Sequence, residues 1–160
     1  MTDAAPAASA SAATPQFAIQ RLYVKDTSFE LPLGAVLFNR PWQPQVQQEL
    51  STRATPLDND LHEVVLMVTI TGKFDDQPGF IVEVQQAGIF LIKGFAPDQL
   101  RHAVGAHCPS VLFPYAREAI DNLMVRGSLP PLMLPPINFD ALYQQAMAQQ
   151  TAQAPTDVAH

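Results

Sequence analysis

Residues 61–74 and 80–93 constrain this chain more than any other part of it. In the first, Val64, Leu66, Val68 and Ile70 occupy alternate positions. The opposite parity is mixed, with Glu63, Val65, Met67, Thr69 and Thr71. Side chains on a strand alternate between faces, so this stretch predicts a strand with one buried face. Asp75, Asp76, Gln77, Pro78 and Gly79 follow, a composition that turns the chain back on itself. In the returning strand Phe80, Val82 and Val84 face one way, and Ile81, Glu83 and Gln85 the other. Ala87-Gly88 invites a bulge there, because glycine tolerates bulge backbone.

Two further strands precede this hairpin. Residues 17–31 mix β-branched, aromatic and charged side chains. Leu22 and Val24 share a parity with Asp26, Ser28 and Glu30, which predicts one face that turns from apolar to acidic. Residues 32–44 are broken by Pro and Gly and read as a crossing loop carrying Phe38 and Trp42. Residues 45–55 form a polar strand weakly anchored by Val46 and Leu50, and Asp58–Leu61 is a turn.

Helical spacing then takes over. Pro97-Asp98 opens a helix to about His107, with Leu100, Ala103 and Val104 on one side, and Cys108-Pro109 breaks or restarts it. Leu112, Ala116, Ile120 and Leu123 form an apolar stripe that Tyr115 and Met124 widen. Pro114 is expected to bend this helix and Gly127 to end it. Pro130, Pro131, Pro135 and Pro136 keep the next segment out of helix and sheet interiors. Leu129, Leu132, Met133, Leu134 and Ile137 therefore sit on irregular backbone, either displayed for a ligand or folded onto their own core. Asn138 caps a last helix over 139–150. Strands followed by helices predict an α+β fold: a four-stranded antiparallel sheet followed by C-terminal helices packed on one face. One domain over 16–148 is expected, between flexible tails at 1–15 and 149–160. Apolar residues on both sheet faces point to self-association.

Composition excludes several functions. No run approaches the roughly 18 apolar residues of a membrane span, so no membrane insertion is expected. The N-terminal stretch lacks the basic and apolar regions of a signal peptide, which favours the cytoplasm. Net charge is −6 and the nine basic residues are scattered singly, so no nucleic-acid footprint is expected. The one cysteine, Cys108, excludes an intramolecular disulfide and a multi-cysteine zinc cage. His62, His102, His107 and His160 form no metal-binding motif, and no phosphate-binding glycine loop is present. Asp75 and Asp76 belong to a turn. No catalytic residue, metal or cofactor is expected; apolar display favours binding over catalysis.

The chain resembles the SecB family of protein-export chaperones. The resemblance covers about residues 17–145. It rests on Phe17–Glu30, Trp42-Gln43-Pro44, Glu63–Leu66, Glu83–Phe90, Cys108-Pro109, Leu112–Glu118, Val125–Gly127, Leu132–Leu134 and Pro136–Leu142, in that order. It implies a homotetramer, a dimer of dimers whose helices lie between two eight-stranded sheets. It also implies an ATP-independent holdase that keeps precursor proteins unfolded and delivers them to the translocation motor SecA.

By matching position, the resemblance assigns SecA docking to Asp26, Glu30, Ile81 and Glu83. It assigns client binding to Trp42, Phe113, Tyr115, Leu129, Leu132 and Leu134. Phe80, Val82 and Val84 match family positions linked to assembly and client binding. The family's C-terminal tail is often acidic, whereas residues 151–160 carry only Asp157. A general antiaggregation or toxin–antitoxin-linked chaperone of the same fold is the alternative function. A small-molecule binder using an apolar pocket is the other.

Overall fold

Four long strands pair antiparallel in the order β1-β4-β3-β2. The computed structural model describes residues 14–153; most of the tails predicted at 1–15 and 149–160, residues 1–13 and 154–160, lies outside them. Strand β1 spans Gln16–Glu30, β2 Gln45–Pro56, β3 Leu61–Phe74 and β4 Gln77–Lys93. A 3-10 turn, Gly34–Asn39, interrupts the crossing loop and buries Leu37.

The turns are tighter than the sequence predicts. Asp75 and Asp76 alone connect β3 to β4, both with left-handed backbone (φ 50° and 61°), as a two-residue hairpin loop requires. Gln77, Pro78 and Gly79 belong to β4. Gly79 is the extra residue of a bulge, passed over where the pairing steps from Gly72–Phe80 to Lys73–Pro78. A side chain at Gly79 would collide with the Phe74 ring. Asn59 and Asp60 take the same left-handed geometry in the β2–β3 turn.

Helix α1 is Pro97–His102, and a π-helical turn, Ala103–His107, joins it directly to α2, Cys108–Arg126. Pro109 cannot donate to the carbonyl four residues back, and the wider turn absorbs that lost bond. The helix therefore restarts at Cys108 without a break, and α2 runs on through Pro114. Cys108, Leu112, Ala116, Ile120 and Met124, each four residues apart, are its fully buried row. Met124 holds the place expected for Leu123, which is half-buried, and Tyr115 points outward.

This row packs on one face of β3 and β4. Val64, Leu66, Val68, Ile70, Phe80, Val82, Val84 and Phe90 have no exposed surface. Each such side chain contributes about 1.5–3 kcal/mol on burial. Helix α3, Phe139–Gln153, runs three residues beyond its expected end and buries only Phe139. No helix among the described residues is long and apolar enough to cross a membrane.

Candidate functional site

The sheet has two unlike faces, and register decides which side chain lies on which. Partners across an antiparallel pair share a face. In β1, Gln20 and Lys25 are both passed over by the pairing with β4. These are bulges, and each moves every later side chain to the other face. The expected bulge at Ala87-Gly88 does not occur; those residues pair continuously with Tyr23 and Leu22. Bulge position depends on the partner strand, which β4's own composition does not report.

The Lys25 bulge corrects the predicted face of β1. Leu22 and Val24 pair with Gly88 and Gln86 on the helix side. Asp26, Ser28 and Glu30 pair with Gln85, Glu83 and Ile81 on the outer side. The face does not grade from apolar to acidic; its two halves lie on opposite sides of the sheet. Asp26, Glu30, Ile81 and Glu83 are thereby brought together.

The outer face is polarised along the strands. Three successive rows read Asp26–Gln85–Met67–Ser51, Ser28–Glu83–Thr69–Glu49 and Glu30–Ile81–Thr71–Gln47. They carry four carboxylates and no base. Thr69 donates to Glu83 at 3.1 Å and orients it. Glu49 joins this patch only through the register of β2, so no local sequence signal marks it. The two preceding rows hold Arg21 and Arg53, with Tyr23 and Glu63. There Lys25 donates to Glu63 at 2.6 Å and Tyr23 donates to its other oxygen. These bonds hold the Glu63 carboxyl below its ordinary range. Burial, and then Glu63 itself, push the Tyr23 hydroxyl up to about 12. This end carries three bases, Arg21, Lys25 and Arg53, against one carboxylate, and the other end carries carboxylates alone.

The helix side carries the apolar display. Trp42 lies on the aromatic rings of Phe80, stacked at 5.8 Å, and of Phe74 at 5.6 Å, and stays 38% exposed. Tyr115 is half exposed. Ile19 and Val24 on β1, and Val46 on β2, share the helix side but lie on edge strands beyond the cover of α2.

Of the expected client residues, Phe113, Leu129 and Leu134 are buried within the chain, and Leu132 is half-buried. Phe113 meets Phe139 edge-on at 5.8 Å. The proline-rich loop is held against α2 by Asp121, whose carboxylate accepts from the Leu132 and Met133 amides at 2.8 and 3.2 Å. Arg117 donates to the Leu134 carbonyl at 3.3 Å. The loop thus takes the folded-on-core alternative for Leu129 and Leu134 and displays Met133, 76% exposed. Phe80, Val82 and Val84 are core residues beneath α2, so in the folded chain they act through packing.

An apolar cleft of about 650 Å³ opens between β1 and α1, lined by Phe17, Phe95, His102, Ala103 and His107. Its histidines are engaged: His102 bonds Asp140 at 2.7 Å, and His107 lies edge-on to Phe17 at 4.7 Å. Cys108 is buried outside this cleft, and burial pushes its thiol up to about 12. At neutral pH it is a packed thiol, not a nucleophile. Among the described residues no cluster of three or more His, Cys, Asp or Glu can hold a metal.

A family model described as "SecB: Preprotein translocase subunit SecB" matches residues 10–150. The protein-export protein SecB of Pseudomonas paraeruginosa (strain DSM 24068 / PA7) is 52% identical over 153 residues, 95% of this chain and 94% of the relative. That of Pseudomonas syringae pv. tomato is 56% identical over 133 residues, 83% and 81% of the two chains. A solved SecB-like chaperone of Mycobacterium tuberculosis, in complex with a peptide from an antitoxin, superposes with a TM-score of 0.57. It is 19% identical and covers 76% of this chain and 87% of its own, a likeness of fold.

Proposed function

The chain belongs to the SecB family and is a chaperone of preprotein export; from that premise we propose that it works as an ATP-independent holdase with two separate docking faces. Unfolded precursors are held on the helix side by Trp42, Tyr115, Leu132 and the buried apolar residues that support them. SecA docks on the outer face at Asp26, Glu30, Ile81 and Glu83. The working unit is a homotetramer, a dimer of dimers in the cytoplasm, whose formation covers the apolar edges at Ile19 and Val24.

One observation carries this reading. The bulged register gathers the carboxylates on the sheet face opposite the helices, while Trp42 and Tyr115 are exposed away from them. Holding and delivery therefore use different surfaces. A client Leu or Phe gains about 1.5–3 kcal/mol on full burial and less in an open groove. One site holds weakly; several sites on a tetramer, engaged by one chain, hold through effective concentration. A folded client has hidden the same side chains and does not bind. Release without a nucleotide comes from competition, through client folding or transfer to SecA.

The test is to mix the purified protein with an unfolded precursor in the absence of ATP. The expected result is a soluble complex that passes the precursor to added SecA. Aggregation of the precursor at every ratio would refute the reading.

A further inference from the structure

Among the described residues one polar side chain is buried in the core, Gln86, and its position is informative. Gln86 pairs with Val24, the last residue before the Lys25 bulge, and its amide donates to the Tyr23 carbonyl at 3.1 Å. A bulge disrupts the local ladder and leaves backbone groups seeking partners. Gln86 supplies one from the helix side. On the outer side, the bulged residue Lys25 and Tyr23, two positions before it, converge on one carboxylate two strands away. Lys25 donates to Glu63 Oε1 and Tyr23 to Glu63 Oε2. The bulge is thus gripped from both faces of the sheet.

We propose that Gln86, Tyr23, Lys25 and Glu63 form a frame that fixes this bulge, and that Lys25 is thereby a positioning residue for the acidic docking face. Without the bulge, with Lys25 paired in the ladder, alternation would carry Asp26 and Glu30 to the helix side with Leu22 and Val24. With it, they stand beside Ile81 and Glu83. The frame also draws the Lys25 ammonium away from Asp26 and onto Glu63, leaving the three rows beyond without a base. This inference rests on the reading that the outer face docks SecA.

Two mechanisms give opposite signs for one substitution. If Lys25 acted only as a charge near an acidic patch, Lys25→Ala would make the face more negative and tighten binding to a basic partner. As a positioning residue, its loss loosens the bulge and weakens that binding. The experiment measures SecA affinity of the full chain for wild type, Lys25→Ala, Lys25→Arg and Asp26→Lys. Amide exchange across residues 22–30 is followed in parallel.

The expected result is about 3–10-fold weaker binding for Lys25→Ala, faster exchange at residues 26–30, and recovery by Lys25→Arg, which reaches Glu63 with its own charge. Client holding stays unchanged. Lys25→Ala binding as tightly as wild type or tighter, while Asp26→Lys weakens, overturns the frame and leaves the docking face standing. If Asp26→Lys also binds normally, the docking reading itself has failed. Unchanged exchange in Lys25→Ala counts against the frame whatever the affinity does.

Discussion

Lys25 and Glu63 show how a single ion pair can have value beyond its own energy. Glu63 is 19% exposed and shared by two donors. Its carboxyl sits below the ordinary 4.5 because Lys25 and Tyr23 bond its charged form. A depressed carboxyl contributes stability above its unfolded value, and that contribution disappears as pH falls through the folded value. Glu63→Gln should therefore lower stability by about 1 kcal/mol at neutral pH. The gap to wild type should close as pH drops through and below 4.5, read by denaturant unfolding across pH. Tyr23 has the opposite sign. Its raised value adds stability that is full below the ordinary 10.0 and lost as pH rises through about 12. Cys108 gives a simpler check. A buried thiol raised to about 12 should resist alkylation in the native protein and react at once in denaturant.

Strands and helices were largely legible in the sequence because most of them bury one periodic face. The alternation of β3 placed Val64 to Ile70 against the helices, and that of β4 placed Ile81 and Glu83 together on the other face. What periodicity missed was the phase change in β1. A bulge at Lys25 is written in Gln86 and Glu63, residues 38 and more positions away, so local parity assigned Asp26 and Glu30 the wrong companions. The proline-rich loop was legible as irregular backbone but not as buried backbone. Leu129 and Leu134 are inside because Asp121 and Arg117 bind the loop to α2, contacts with no sequence periodicity. Asp121→Ala should release the Leu132 and Met133 amides. Their hydrogen exchange should be slow in wild type and fast in the variant, and stability should fall by about 1–3 kcal/mol. Exchange as slow as wild type would mean that the prolines alone hold the loop.

At the scale of the whole molecule, family membership gives preprotein export, and the proposed division between two sheet faces would perform it without a nucleotide. A client needs an apolar surface that folding would make redundant; a motor needs a surface that stays available while the client is held. A sheet covered on one side by helices would separate the two. The most direct measurement is a crossed titration of wild type, Asp26→Lys and Trp42→Ala, each against an unfolded precursor and against SecA. Asp26→Lys should lose SecA by about tenfold or more and keep the precursor, and Trp42→Ala should lose the precursor and keep SecA. If both affinities fell together in either variant, client and motor would share one surface and the two faces would not be separate.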